Sequence, residues 1–345
     1  MTVALRELTT MRLGGPSREF VAASETDELV EQVRDADARG VPVLLLGGGS
    51  NLVVGDDGWD GVTIKIASSA LEIDGTTVRA DAGVDWDALV RQTLAEGLAG
   101  LEPLSGVPGT VGGTPVQNVG AYGTLTSDVL SSVTVYDRRT GEVAEWDSGR
   151  CGFGSHRQST FKHTDRYVVL RVTYGLRRSR QSAPLRYADL ARRLGVEPGG
   201  TAETVDVRRA VLEFRAQRGS LLDPADHDTW SVGSFFLNPV LAEVPPQASD
   251  SPTYPDPLGT KLPAGWLIEH AGFRPGYGRD FGRGSVTLST KHALSVTNRG
   301  DATTAEVMAF AAHVRAGVAE RFGIRLTPEC HLINCSLDDQ IAVRR

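Results

Sequence analysis

Lysine is the least used charged residue in this chain, occurring only at Lys65, Lys162, Lys261 and Lys291. The preference for arginine reads as genome composition, yet it makes each retained lysine slightly more interesting. Positive charge is short overall, with 36 Lys and Arg against 43 Asp and Glu and a net charge of −7. That balance argues against a nucleic-acid surface but leaves room for local arginine pockets around an anionic small molecule. Long apolar runs are missing too. Residues 1–7 hold no apolar signal core and nothing approaches a membrane span, so a cytoplasmic protein with no membrane partner is expected. Cysteine is rare, and Cys151, Cys330 and Cys335 are odd in number and unpaired in pattern, as in a reducing compartment. Cys330 and His331 with Cys335 lack a second ligand pair, so no metal site is expected. No internal repeat or low-complexity tract breaks a length suited to two or three domains.

Glycine, by contrast, is plentiful, and its densest use organises the chain. Across Leu101–Gly123, Pro108, Pro115 and spaced glycines interrupt both the helical and the strand period, so turns with positive φ are expected. The stretch is nevertheless apolar. Such a loop is either a plain surface Ω-loop or a wall at which backbone N–H groups approach a flat or anionic ligand directly. Gln117 and Asn118 add paired donors and acceptors suited to a heteroaromatic edge. A second glycine run, Gly47-Gly48-Gly49-Ser50-Asn51, follows the buried strand Val41–Leu46 and leads into Leu52–Val54. No helix and no Gly-Lys-Ser/Thr follows it, which excludes the Rossmann fingerprint and the Walker loop. It is a tight β-turn or a pyrophosphate cradle.

Periodicity supplies the frame around these loops. Ser24 with Asp27 predicts a capped helix closed by Gly40, and Asp85 predicts another through Glu96. Strands are expected at 62–66, 71–73, 77–80, 132–137, 142–146 and 167–175, the fourth and fifth forming a hairpin around Arg138–Gly141. A short helical segment opens at Leu185–Leu190, Thr204–Gln217 is amphipathic, and Ala264–Ala271 is helical. Thr303 and Glu306 form a capping box before a long helix, with strands at Ile324–Leu326 and Cys330–Cys335. The acidic run Asp223–Asp228 reads as solvated, and Val244–Pro257 as a mobile loop. The class is α+β, a βαβ start followed by an antiparallel region.

Two further stretches can carry chemistry. In His156–His163, Arg157 can grip a carboxylate with its planar fork, or the run is an exposed basic loop. In Gly233–Pro239, Ser234 stands beside two aromatics without a Gly-x-Ser-x-Gly frame, so it is a structural turn residue or a catalyst, and no hydrolase elbow is expected.

Taken together, Thr10–Gly15, Leu46–Asn51, Pro103–Gly123, Arg157–His163, Gly233–Pro239, Ala264–Glu269 and Pro328–Glu329 resemble the UDP-N-acetylenolpyruvoylglucosamine reductase (MurB) family, in its order and over most of the chain. The resemblance implies a vanillyl-alcohol-oxidase/PCMH-like FAD-binding domain of two α+β subdomains, residues 1–67 (joined by 331–345) and 68–217. A smaller α/β substrate-binding domain would span 218–330. It also implies non-covalent FAD, NADPH as co-substrate, and reduction of UDP-N-acetylglucosamine enolpyruvate by a monomer.

Carried over by residue, Gly47, Gly48, Gly49, Ser50 and Asn51 match the segment on the flavin pyrophosphate. Ser105, Gly106, Pro108, Gly109, Thr110, Gly112, Gly113, Gln117, Asn118 and Gly120 match the wall around the isoalloxazine and phosphates. Arg157 matches the arginine on the enolpyruvyl carboxylate, Ser234 the proton donor and Glu329 the assisting acid. Tyr122, Tyr187, Arg218, Asn238, Tyr254 and Lys261 match positions near the UDP-sugar, Tyr187 suggesting the form with a tyrosine loop. His156 departs from the tyrosine common there. Two other classes remain open, a different non-covalent flavin oxidoreductase of the same fold and a non-enzymatic sugar-nucleotide-binding protein.

Overall fold

The computed structural model describes residues 3–154, 158–162 and 164–338. They fall into two compact units. A central unit comprises Phe20–Gly48 and Gly61–Gln217, and a terminal unit comprises Met1–Glu19, Gly49–Asp60 and Arg218–Arg345.

The central unit is built on a five-stranded antiparallel sheet in the order Glu142–Asp147, Leu130–Asp137, Tyr167–Gly175, Thr77–Asp81, Leu71–Asp74. Alternation puts Val133 and Val135 on the buried face, and the expected hairpin closes at Asp137 opposite Glu142. In a second, four-stranded sheet a parallel pair runs from Val43 opposite Val62 to Leu46 opposite Lys65. Helix α1 (Thr26–Ala38) buries Leu29, Val30, Val33 and Ala36. Its start differs from the expected Ser24 cap. The Glu28 carboxylate reaches back and accepts from the Ser24 N–H at 2.7 Å and hydroxyl at 3.0 Å, so Ser24 donates instead of capping.

Helix α2 (Trp86–Ala95) is capped as expected, Asp85 accepting from the Ala88 N–H at 2.8 Å. The Gly-rich stretch, expected to lack regular structure, contains a 3-10 turn at Glu102–Leu104, a helical turn, α3 (Gly113–Val116), and a short strand at Gly120–Ala121. Helices α4 (Ala188–Arg193) and α5 (Thr204–Gln217) pack Leu190, Val207 and Val211 into a small satellite core.

The terminal unit has its own apolar core. Helix α6 (Ala264–His270) contributes Leu267 and Ile268 to it, and α7 (Thr304–Phe322) contributes Val307, Phe310, Ala311, Val314, Val318 and Phe322. The predicted capping box of α7 is formed. Thr303 Oγ1 accepts from the Glu306 N–H at 3.2 Å, the Glu306 carboxylate accepts from the Thr303 N–H at 2.8 Å, and Gly323 ends the helix at φ +70°. Leu52–Val54 pairs in parallel with His331–Ile333. Val240–Leu241, Gly259–Lys261 and Tyr254–Asp256 form a small sheet, and Val286–Leu288 with Val296–Asn298 form a hairpin.

Three expectations change here. Ile324–Leu326 buries Ile324 and Leu326 but joins no sheet among the described residues, so side-chain alternation without a ladder partner misled the strand reading. The run Asp223–Asp228 is not merely solvated. Asp228 is 4% exposed and held by Arg299 at 2.7 Å, with Thr290 donating its hydroxyl, while Asp226 pairs with Lys291 at 2.6 Å. In Val244–Pro257 the turn Pro246–Ala248 buries Ala248, and Tyr254–Asp256 enters the sheet. No described helix is long and apolar enough to cross a membrane.

Candidate functional site

In the central unit, the glycine-rich wall is zipped onto residues 82–86. The Val111 N–H donates to Val84 O at 2.9 Å, the Gly112 N–H to Ala82 O at 2.8 Å, and the Trp86 N–H to Gly109 O at 3.1 Å. A Cβ at Gly112 would stand 2.6 Å from that of Ala82, which is why the position is glycine. The indole of Trp86 donates to Leu104 O at 2.9 Å, and Thr114 meets the buried Tyr174 hydroxyl at 2.8 Å.

Gly106, at φ +69°, is gripped from both sides. Its N–H donates to Asp87 Oδ1 at 2.6 Å and its carbonyl accepts from Arg215 Nε at 3.0 Å. Arg208 forks onto both Asp87 oxygens at 2.7 Å. Burial pushes the Asp87 carboxyl up, but the Arg208 fork and the Gly106 N–H outweigh it and hold the group below the usual carboxylate range. Asp87, Arg208 and Arg215 are supports the sequence did not reveal, since each read as an ordinary helix residue more than a hundred positions from its partner or in an unrelated turn.

The same wall carries polar groups of two kinds. Ser105 spends its hydroxyl on Glu102 O at 2.7 Å, and Asn118, at φ +39°, accepts from the Ser127 N–H at 3.2 Å. Gln117 Oε1, however, is buried with no hydrogen-bond partner among the described residues. Beside the wall, a Cβ on Gly48 would lie 2.5 Å from Gly109 Cα, and one on Gly47 would lie 2.7 Å from Thr110 Oγ1. The two glycine loops thus meet at a separation only glycine permits. Tyr122 (φ +48°) contacts Tyr187 edge-on at 5.6 Å and stacks near Phe214 at 6.1 Å, so these two expected substrate residues stand together.

In the terminal unit, Gly49 is pressed so closely to Leu8 O that a Cβ would sit 2.0 Å away, and the Thr10 N–H donates to its carbonyl at 3.1 Å. Asn51 O accepts from the His331 N–H at 2.9 Å, while Asn51 Nδ2 is buried and unpartnered among the described residues. Ser234 and Glu329 are brought together by the main chain. Phe236 and Pro328 form an antiparallel bridge, the Glu329 N–H donates to Phe235 O at 2.9 Å, and the Leu237 N–H donates to Thr327 O at 2.9 Å. Phe235 and Phe236 are buried and anchor the segment, leaving Ser234 half-buried after Gly233 at φ +73°. Thr10 Oγ1 ties to Ser231 O at 2.7 Å at the start of this turn.

The small sheet sets Lys261 between Tyr254 on one side and Val240 on the other, and Asn238 stands two residues before Val240. Asn238 Oδ1 accepts from the Ala264 N–H at 2.9 Å, which fixes the amide at the start of α6. Arg218 opens the same unit; burial, and then its charge, lower the pKa of His292. Arg157, with His156 and His163, lies outside the described residues.

An FAD-binding domain profile matches residues 17–147, and a profile for the C-terminal domain of UDP-N-acetylenolpyruvoylglucosamine reductase matches residues 223–333. The Nocardia farcinica UDP-N-acetylenolpyruvoylglucosamine reductase is 52% identical over 338 residues, covering 95% of this chain and 87% of that one. The Thermobifida fusca protein of the same name is 50% identical over 353 residues, covering 97% and 98%. The chain belongs to the UDP-N-acetylenolpyruvoylglucosamine reductase family. The crystal structure of the reductase (MurB) from Thermus caldophilus superposes with a TM-score of 0.67 at 25% identity, covering 96% of this chain and 98% of that one.

Membership makes the chain an FAD-containing oxidoreductase with a PCMH-type FAD-binding domain. The residues present fit that cofactor. Gln117 Oε1, an acceptor without a partner among the described residues, is a group a bound flavin nucleotide would satisfy. The glycine loops 47–48 and 109–110 offer backbone where side chains would intrude.

Proposed function

We propose that the work of the family's reaction, NADPH-dependent reduction of UDP-N-acetylglucosamine enolpyruvate to UDP-N-acetylmuramate for peptidoglycan synthesis, is divided among named residues of this chain. Gly47–Asn51 and the wall from Ser105 to Gly120 hold FAD without a covalent bond, since no His or Cys stands in the 47–51 loop. FAD, once reduced by NADPH, supplies the hydride that adds to the terminal methylene carbon of the enolpyruvyl ether. Negative charge then spreads from the adjacent carbon onto the carboxylate. The Arg157 fork binds that carboxylate, and Glu329, in its protonated form, hydrogen-bonds it, together stabilising the developing charge. Ser234 delivers its hydroxyl proton to the adjacent carbon and completes the reduction. Tyr122, Tyr187, Arg218, Asn238, Tyr254 and Lys261 contact the UDP-sugar.

The observation that supports this reading is the isolated main-chain bridge at Phe236 and Pro328, which ties the segments carrying Ser234 and Glu329 together. We further propose a cytoplasmic monomer without nucleic-acid or membrane partners, serving cell-wall growth and so cell shape and division. The division into 1–67 with 331–345, 68–217 and 218–330 belongs to the same reading. Arg157→Lys is the test. Charge survives but the planar fork does not, so enolpyruvyl reduction should fall sharply with the bound-flavin spectrum unchanged. Turnover equal to that of the unaltered enzyme would place Arg157 outside the site.

A further inference from the structure

Lys65 is one of only four lysines, and nothing above uses it. It lies at the end of the parallel pair, directly opposite Leu46, with Gly47 next in the chain. Its half-buried ammonium donates a hydrogen bond to the carbonyl of Gly47. Among the described residues no carboxylate pairs with it, and burial alone pushes its pKa down. A desolvated cation without a counter-ion is costly unless something nearby carries the opposite charge.

The Gly47–Gly48 peptide is trans, as are all the described peptide bonds. In a trans peptide the carbonyl and the following N–H point in opposite directions. Pinning the Gly47 carbonyl on Lys65 therefore aims the Gly48 N–H away from the lysine. A cationic donor on the carbonyl also polarises the peptide, making its N–H a stronger donor to an anion. The neighbouring contacts leave this peptide little freedom, with Gly109 and Thr110 packed where Cβ atoms of Gly48 and Gly47 would be.

We propose that Lys65 is a positioning residue for the cofactor's diphosphate, acting through the Gly47–Gly48 peptide to orient and polarise its N–H and to supply the compensating positive charge. The inference rests on the 47–51 loop as the diphosphate segment.

The test is binding, read without turnover. Flavin-free protein is titrated with FAD and, separately, with riboflavin, which lacks the diphosphate, following quenching of flavin fluorescence. Lys65→Met should weaken FAD roughly 10- to 100-fold, the range of one charge-assisted contact, and leave riboflavin within about two-fold. Lys65→Arg, which keeps the charge and a donor, should recover most of the loss. The loss of FAD affinity on raising salt should be shallower in Lys65→Met. Unchanged FAD affinity in Lys65→Met overturns the proposal, as does an equal loss for both flavins, which would make Lys65 a packing residue. Asn51→Ala separates the two levels. If it weakens FAD while Lys65→Met does not, the loop reading stands and the lysine falls. If neither weakens FAD, the loop reading falls with it.

Discussion

The glycine-rich wall and the Ser234–Glu329 pair are held by different mixtures of main-chain and side-chain contacts. In the central unit, main-chain bonds from the wall to residues 82–86 are supplemented by side chains: Asp87 and Arg215 grip the Gly106 peptide, Arg208 fixes Asp87, and Trp86 pins Leu104. In the terminal unit, Ser234 and Glu329 are aligned by main-chain hydrogen bonds and by the buried rings of Phe235 and Phe236. A scaffold made of backbone tolerates replacement of the side chains it presents. A wall rich in glycine has few side chains of its own to lock it, so part of its rigidity is imported from helices α2 and α5. The proposed reactive groups can therefore be changed without disturbing the fold, whereas changing the distant supports loosens the wall.

Breaking the backbone-held side should give the largest kinetic effects. Glu329→Gln removes the acid but not the strand pairing, and the enolpyruvyl step should slow by roughly 10²- to 10³-fold with melting temperature unchanged, as judged by single-turnover kinetics and a thermal scan. Breaking the side-chain supports of the wall should cost stability instead. Asp87→Ala leaves Arg208 without its partner and Gly106 without its acceptor, for a loss of about 1–3 kcal/mol in denaturant unfolding, together with weaker FAD retention.

The same contact carries a pH signature. Because the Asp87 carboxyl is held low in the folded protein, its stabilisation is fully present above the ordinary carboxylate pKa and disappears as pH falls through the lowered folded value. Wild-type stability should drop across that acid range more steeply than Asp87→Ala stability does. The smallest effect is expected at the Tyr122–Tyr187 contact, where Tyr187→Ala should weaken UDP-sugar binding about ten-fold and leave flavin reduction by NADPH unaltered. Calorimetry with the UDP-sugar checks it, and unchanged affinity would return Tyr187 to packing.

The same contrast explains what was legible in the sequence. The glycine runs, the Ser234 turn, Pro328–Glu329 and the capping box at Thr303 are local patterns, each readable from a few adjacent residues. Helices α5 and α7 likewise announce themselves by period. What supports the wall is non-local. Asp87 and Arg208 are 121 positions apart and Arg215 lies 109 beyond Gly106, so neither spacing nor periodicity could join them. The strand expected at Ile324–Leu326 failed for a related reason, because alternation registers burial but not whether a partner strand is present. Asp228 failed similarly, its burial depending on Arg299 and Thr290 far along the chain. Lys65 was visible as a rare residue, but its partner, the Gly47 carbonyl, belongs to a neighbouring strand end.

The central claim is that the wall serves the cofactor while the backbone-held pair serves the proton, and Ser234→Ala tests it most directly. Reduction of FAD by NADPH needs no proton from Ser234. Reoxidation by UDP-N-acetylglucosamine enolpyruvate does, and stopped-flow absorbance follows the two steps separately. The predicted result is normal bleaching with NADPH, then reoxidation slowed by roughly 10²- to 10⁴-fold, the scale of a positioned acid. Equal slowing of both steps, or of neither, would contradict the division and return Ser234 to the role of a turn residue.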